Sequence, residues 1–376
     1  MNVRPGVRPI MAEAIQFAPM SRMSTGGPRI SVSGLIFLAG VTFWLGNMIL
    51  QTGSSGIAEL KASLSFIIEL AIITSATRTV TLDRVAVFYC WGGTVMGLMW
   101  LISAVFTSFI PEPDAVSRQF FVPFMEESLK IAPVVFILLR RNSRQWTMGA
   151  SDILLLAAAS GGGFGLVEEA FFHHHLGPTR ALEWFPLTRI NGATLTVGHA
   201  SFTGLAGATL GLAMLWRPRK PLGYLLAGSG LLWSMIDHSH HNYGVDRTGV
   251  SVDLFNLVTG HGWLSQYFLV IALILVLASD LNVVYRVLPN HPELKIPFAS
   301  LLTSFKGTVS IWKFILTKRA VAFVSFHYKN EPPSVRSDQL DPILYSLLQK
   351  LSELRNNKPS VQGPITRGET ETSLVQ

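Results

Sequence analysis

Long apolar runs, rather than alternating patterns, dominate this chain. A helix of about 20 mostly apolar residues can cross the hydrocarbon core of a bilayer. The pattern therefore predicts an all-α, polytopic transmembrane helical bundle of about eight spans. The second run carries Glu59, Lys61 and Glu69, so a surface-lying helix is the alternative there. The runs lie near 32–51, 58–77, 86–108, 121–140, 149–172, 191–216, 221–242 and 262–285.

The composition agrees with a membrane protein. Only 14% of the 376 residues are charged, 49% are hydrophobic, and the mean hydropathy is +0.39. The net charge of +7 comes from short basic clusters between apolar runs, which is typical of cytoplasmic loops and not of a nucleic-acid surface. The expected partner is therefore the lipid bilayer, with no nucleic acid. Cys90 is the single cysteine, which excludes an intrachain disulfide and a cysteine-based structural zinc site.

The basic clusters also predict an orientation, because lysine and arginine favour cytoplasmic loops. Every second loop is basic, so both termini are expected in the cytoplasm. The clusters lie before the first run, between the second and third, after the fourth, between the sixth and seventh, and after the eighth.

The chain divides into five predicted segments. The segment from Lys295 to Lys329 mixes large apolar residues with lysines, which indicates either an interfacial helix on anionic lipid or a solvated appendage. The predicted segments are a disordered cytoplasmic leader at 1–30, transmembrane helices at 31–110, a core with polar motifs at 120–243, an extracytoplasmic loop and last span at 244–288, and a cytoplasmic tail at 289–376 that is disordered at its end.

The fourth to seventh predicted spans each contain ionisable residues. Such residues cost roughly 2.5 to 3.5 kcal/mol at the bilayer centre on insertion scales, so they usually face a polar interior and have a function. They are Glu126, Glu127 and Lys130 in the fourth span, Glu168 and Glu169 in the fifth, His199 in the sixth, and Asp237, His238, His240 and His241, followed by Asn242, in the seventh.

These residues are predicted to meet at one depth. In the orientation above, all four groups fall in the outer leaflet, with Glu126 about 8 Å from the start of its span at 1.5 Å per residue and His199 eight residues into the sixth. Lys130 lies within one helical turn of both Glu126 and Glu127. Small-residue stripes are expected to bring the helices close together. The glycines of those stripes are Gly161, Gly165, Gly204, Gly207 and Gly211.

Carboxylates, histidines and an amide suit hydrolysis of a peptide bond. A glutamate can activate water as general base, a histidine can position it, and Asn242 can donate to the oxyanion. His199, His238 and a glutamate can instead bind zinc, and the residues leave both mechanisms open. The chain has no GxSxG, HExxH or aspartyl-pair motif. A transporter or proton or cation pathway that uses the same residues is the alternative function, and a catalytically silent scaffold is a third.

The four motifs resemble those of a known family. EESLK at 126–130, FGLVE at 164–168, His199 before a small-residue stretch, and HSHHN at 238–242 are similar to the EExxK, FxxxE, His and HxxxN motifs of the PrsW family. That family is related to type II CAAX prenyl endopeptidases and abortive-infection membrane proteins. The resemblance covers about 120–243. It implies site-1 cleavage of membrane-anchored, anti-sigma-type substrates on the extracytoplasmic side.

The resemblance also implies roles for single residues. Glu126 and Glu127 become the catalytic pair, one of them activating water, and Glu168 and His199 become their partners. His238 with Asn242 supply the final histidine and the oxyanion-stabilising amide. Either no cofactor is needed, or Zn²⁺ is held by Glu168, His199 and His238.

The chain departs from the family pattern in two places. Glu169 stands where many relatives have asparagine, and Asp237, His240 and His241 add further polar groups to the last motif. These additions leave more room for a metal.

Overall fold

The computed structural model describes residues 54–109, 115–139, 144–172, 189–191, 194–196, 198–216, 220–244, 250–260, 262–287, 308–331 and 333–356. All of them fall in one compact unit, Trp44–Gln376. The predicted leader, the first apolar run and the end of the tail lie outside the described residues.

Helices make up nearly all of the described chain. They are α1 (Ser54–Ile73), α2 (Leu82–Phe109), α3 (Ala115–Leu139), α4 (Arg144–Thr147), α5 (Ala150–Phe172), α6 (His199–Leu215), α7 (Lys220–Gly244), α8 (Val250–Thr259), α9 (Trp263–Val287), α10 (Thr308–Asn330) and α11 (Asp341–Asn356). A 3₁₀ turn, Thr74–Ala76, follows α1, and the short segments Pro333–Val335 and Arg336–Leu340 precede α11. The prediction of an all-α bundle is confirmed, with one short hairpin as the exception.

Helix α5 is the centre of the bundle. It packs most extensively against α6 and α2 and also contacts α1, α3 and α9. Its residues from Ala150 to Phe164 are all buried, because its surface consists mainly of alanine, leucine, serine and glycine and is apolar on every side. A helix of this kind is stable only when neighbours surround it, so α5 positions the rest of the fold.

Glycines let the helices around α5 approach closely. A Cβ added to Gly161 would lie 2.2 Å from the carbonyl oxygen of His199, and one added to Gly207 would lie 2.3 Å from Ala157 Cβ. The predicted glycine stripes are therefore confirmed as contact surfaces. The tightest approach involves two glycines that the prediction did not include. A Cβ on Gly92 would be 1.8 Å from Ser160 O, and one on Gly163 would be 1.8 Å from Tyr89 O.

The region before α6 differs from the predicted helix. Strands β1 (Arg189–Asn191) and β2 (Thr194–Thr196) form an antiparallel hairpin with Asn191 opposite Thr194. Asn-Gly followed by threonine-rich sequence favours a hairpin over a helix. As a result His199 is the first residue of α6, whereas the prediction placed it eight residues into a span.

Two segments outside the predicted spans also form helices. Helix α8 lies in the stretch predicted as an extracytoplasmic loop. Helix α10, from the predicted tail, packs into the bundle: Ala322 and Phe323 are fully buried in the main core, while Phe314 and Val324 pack with α11 in a second apolar cluster. Helix α10 therefore has buried residues in both clusters, and the interfacial and solvated interpretations of the segment from Lys295 to Lys329 stay predictions.

Two stretches of the described chain meet the length and hydropathy expected of a membrane span. They are Ala150–Glu168, most of which is buried inside the bundle, and Asn256–Val287, most of which is not. The count of eight spans and the cytoplasmic position of the tail stay predictions.

We expect Gly92→Ala to lower the free energy of unfolding by about 1–3 kcal/mol, because the added methyl group would force α2 away from α5. Gly97→Ala is the matched control on the same helix, since a Cβ there meets nothing within 4 Å. Unfolding midpoints in detergent micelles measure both effects. Equal midpoints for the two variants would contradict the close α2–α5 packing.

Candidate active site

Four helices bring five of the six predicted site residues together. Helix α3 supplies Glu126 and Glu127, α5 supplies Glu168, α6 supplies His199, and α7 supplies His238. The sixth, Asn242, has its backbone in α7, but its side chain lies outside the described part of the structure, as does that of Glu169. The convergence of the four motifs is thus a feature of the fold, and the catalytic roles stay predictions.

Glu127 is the most fully bonded residue of the site. Its side chain is completely buried. Oε1 accepts a 2.6 Å hydrogen bond from Lys130 Nζ and lies 3.0 Å from His238 Nδ1, while Oε2 accepts a 3.1 Å bond from Thr203 Oγ1. This carboxylate therefore links α3, α6 and α7.

The bond to Glu127 also fixes the tautomer of His238. An ionised carboxylate only accepts, so Nδ1 carries the proton and Nε2 presents a lone pair. Nε2 lies 3.7 Å from Glu126 Oε2. The ring is held in place by a nearly parallel stack on Phe202, with centroids 5.4 Å apart.

Both nitrogens of His199 are engaged as well. Nε2 contacts Glu168 Oε2, and Nδ1 lies 3.0 Å from Lys130 Nζ. The ammonium group only donates, so Nδ1 accepts and Nε2 donates to Glu168. The His199 ring lies edge-on to His238, with centroids 4.9 Å apart.

Lys130 is completely buried between these groups. Besides Glu127 and His199, its ammonium lies 4.1 Å from the centre of the Phe164 ring and 3.8 Å from Glu126 Oε2. A buried ammonium is tolerated only with such partners. Its contacts fit charge neutralisation of the two glutamates.

Glu126 differs from its neighbour in having a free oxygen. The residue is 5% exposed, and its Oε2 has no hydrogen-bond partner among the described residues. A buried carboxylate oxygen without a partner is costly, which makes it a candidate to contact a ligand, a metal or a reacting water.

A proline in α3 shapes the backbone beside the site. Pro133 has no N–H for the carbonyl of Leu129, so that acceptor is available to other donors. Trp91 Nε1 of α2 donates to Leu129 O at 3.5 Å, and Ser160 Oγ of α5 donates to Lys130 O at 2.7 Å. Neighbouring helices thus satisfy the backbone around the proline and fix the turn that carries Lys130.

Sequence reasoning missed Thr203, Phe164 and Phe202 as site residues. Thr203 lies four residues after His199 and Phe202 three, so helical spacing alone places them near the same face. Phe164 lies one turn before Glu168 in the FGLVE motif. No chemical signal in the sequence separates these residues from ordinary packing.

His240 and Asp237 form a separate network on the far side of α7. His240 Nε2 lies 2.7 Å from Asn256 Oδ1, and Asp237 Oδ2 accepts a bond from Ser265 Oγ. These residues therefore link α7 to α8 and α9 and do not join the glutamates. The side chain of His241 lies outside the described part of the structure.

Buried glutamates and histidines at the centre of a helical membrane bundle form the type of site that membrane-embedded hydrolases use. The family model described as PrsW family intramembrane metalloprotease matches residues 81–278, more than half of the chain. The chain belongs to the PrsW family, and it is a membrane-embedded protease. Comparison with curated proteins and with solved structures finds no match.

The described residues include a donor set for the metal that the family description implies, and binding would require His199 to release Lys130 from Nδ1 or Glu168 from Nε2. Single ligand atoms of Glu126, His199 and His238 all lie within 4.8 Å of one another, and two imidazoles with a carboxylate are a donor set typical of zinc. With ionised carboxylates and neutral imidazoles, the three glutamates and one lysine leave two negative charges, which a divalent cation balances. The predicted set contained Glu168 in place of Glu126. Glu168 is instead the hydrogen-bond partner of His199.

We expect Thr203→Val to lower the cleavage rate roughly 10-fold, because Glu127 loses one of its charged hydrogen bonds without a change in side-chain volume. Thr203→Ser should restore most of the rate. Thr209→Val is the matched control, since within the described chain the Thr209 hydroxyl bonds to carbonyls of its own helix, Leu205 O and Ala206 O. If the Thr203→Val and Thr209→Val variants cleave a reporter equally fast, Thr203 has no positioning role.

Proposed function

We propose that this protease is an endopeptidase that cuts membrane-anchored proteins near the extracytoplasmic face of a prokaryotic cytoplasmic membrane. The observation that carries the proposal is the buried cluster in which Glu126 keeps a free oxygen while Glu127 and Glu168 are bonded to histidines. Family membership supports proteolysis within the membrane. The alternation of basic loops supports the extracytoplasmic side.

The two adjacent glutamates take different roles in this proposal. Glu127 holds His238 and Lys130 in place, because both of its oxygens are already bonded. Glu126 has the free oxygen, so it is the group that contacts the attacking water and accepts its proton. Glu168 fixes the orientation of His199 in the same way that Glu127 fixes His238.

Two residues of α7 contact the reacting groups in this proposal. His238 keeps its proton on Nδ1 and directs Nε2 towards Glu126, where Nε2 can accept a hydrogen bond from the attacking water. Asn242 follows one helical turn later, so its amide is expected on the same face, where it can donate to the developing oxyanion.

Glu126, His199 and His238 are the proposed metal ligands. A divalent cation held there would supply Lewis-acid chemistry, polarising a carbonyl and making water more acidic. Glu126 then serves as ligand in a metal-dependent enzyme and as general base in a metal-free one. The effect of substituting Glu126 distinguishes the metal-dependent enzyme from the metal-free one.

The proposed substrate is a protein with a single membrane span and an extracytoplasmic segment, and the proposed reaction is a site-1 cleavage of anti-sigma type. Such a substrate lies in the bilayer beside the bundle. The cut is expected close to the extracytoplasmic end of its span.

We expect Glu126→Gln to lower cleavage of a purified single-span reporter by roughly 100-fold or more, because the amide cannot accept a proton from water. Glu69→Gln on α1 is the control for the same substitution away from the site. Product masses show which end of the reporter span is cut. Normal cleavage by both the Glu126→Gln and His238→Ala variants would rule out the proposed site.

Elemental analysis of the same preparations separates the two mechanisms. If Glu126 is a ligand, the wild type holds stoichiometric metal, chelator stops cleavage, and Glu126→Gln loses both metal and activity. If Glu126 is only the base, cleavage resists chelator and the variant loses activity alone.

A further inference from the structure

A second buried charged group lies far from the glutamates, next to the start of α5. Arg78, between the 3₁₀ turn and α2, is only 6% exposed, and its Nε and Nη1 atoms have no hydrogen-bond partner among the described residues. A guanidinium group remains charged under all ordinary conditions. Burying it without partners is costly, so an unseen counter-ion or ligand is the simplest way to satisfy it.

A second arginine reaches the same place from α10. Arg319 Nη1 donates to Ser75 O at 2.6 Å and to Arg78 O at 3.1 Å. Both guanidinium groups also lie over the ring of Trp312, with Cζ 5.1 Å from its centroid for Arg78 and 5.9 Å for Arg319. Two cations therefore share one indole at the junction of α2 and α10.

The nearest carboxylate does not pair with either arginine. Asp152 accepts hydrogen bonds from Thr79 N, Thr79 Oγ1, Val80 N and Gly149 N at 2.7 to 2.9 Å. No ion pair within 4.0 Å joins it to an arginine in the described chain. With four donors on its two oxygens, Asp152 fixes the start of α5 and leaves the two cations without a direct partner.

The neighbouring carboxylate, that of Asp280, also accepts hydrogen bonds from backbone donors. Asp280 of α9 accepts from Ala150 N at 2.9 Å and Ser151 N at 2.8 Å. Burial lowers the pKa of Arg319 to about 10; Asp152 opposes this shift and Arg78 adds to it. The hydrogen bonds of both carboxylates are thus made to backbone and hydroxyl donors, and neither carboxylate is hydrogen-bonded to a guanidinium group in the described chain.

We propose that Arg78, Arg319 and Trp312 form a binding site for an anion of the phosphate class. Arginine donors match phosphate oxygens in geometry and charge, and the anion would supply acceptors for the unpartnered Nε and Nη1 atoms of Arg78. Its source is either a phospholipid headgroup or free inorganic phosphate. The site is distinct from the protease centre and does not depend on the proposed cleavage reaction.

The position of Arg78 in the bundle fits a phospholipid headgroup. Asp152 and Glu168 are sixteen residues apart on α5, or about 24 Å at 1.5 Å per residue. That is close to the thickness of the hydrocarbon core, about 30 Å. A headgroup at Arg78 would thus mark one face of the membrane and place the glutamates towards the other.

The test uses the delipidated full-length protein in detergent. Its unfolding midpoint is measured with phosphatidylglycerol, with a diacylglycerol of the same chains, and with inorganic phosphate against chloride at equal ionic strength. We expect phosphatidylglycerol to raise the midpoint saturably by about 5 °C, and diacylglycerol to have no effect. A response to phosphatidylglycerol alone identifies a headgroup site, and a response to phosphate as well identifies a general phosphate site. No saturable response to either probe overturns the proposal.

Substitutions test whether the shift in the unfolding midpoint depends on Arg78 and Trp312. Arg78→Gln should abolish the shift, and Arg78→Lys should keep part of it. Lys329→Gln is the matched control, because it removes one positive charge from an exposed position of α10. An unchanged shift in Arg78→Gln overturns the proposal. If that variant does not fold, Trp312→Leu is measured in its place, with the same outcome decisive.

The protease-dead Glu126→Gln variant should retain the full shift. The midpoint shift tests the anion site and reporter cleavage tests the proposed reaction, so failure of one proposal can be distinguished from failure of the other.

Discussion

The burial of Glu127 is the constraint on which the site depends. A carboxylate inside an apolar bundle needs a partner for each oxygen, and here the partners come from three helices: Lys130 of α3, Thr203 of α6 and His238 of α7. If α6 or α7 rotated by one residue, the carboxylate would lose one of these three hydrogen bonds. The same bonds that stabilise the buried charge therefore fix the orientation of His238 towards Glu126.

Close helix packing makes this arrangement possible. A Cβ on Gly165 would lie 3.1 Å from His199 Cδ2, and one on Gly161 would meet the backbone of His199 itself. The glycines of α5 therefore create the space that the imidazole and the start of α6 occupy. Stability and catalysis are linked at these positions, because a larger residue would move His199 away from Glu168 and Lys130.

Buried charges at the two ends of α5 are stabilised in different ways. Near its end, Glu168 is bonded to His199 and Glu127 to His238 and Lys130, while one oxygen of Glu126 has no hydrogen-bond partner among the described residues. At its start, Asp152 is saturated by backbone and hydroxyl donors, and the unpaired charge belongs to Arg78. A free acceptor suits water or a cation, whereas a free guanidinium suits an anion. The bundle thus presents opposite chemistry at the two ends of one helix.

The sequence by itself determined the helical class and the four motifs, because apolar runs and ionisable residues within them are local patterns. It did not determine that Glu126 rather than Glu168 completes the group with His199 and His238, since that depends on how α3 and α5 are rotated against each other. The hairpin before α6 and the packing of α10 were also decided by tertiary structure, because short strands and tail helices are stable only through their contacts. Thr203 gained its role for the same reason: only the fold brings its hydroxyl to Glu127.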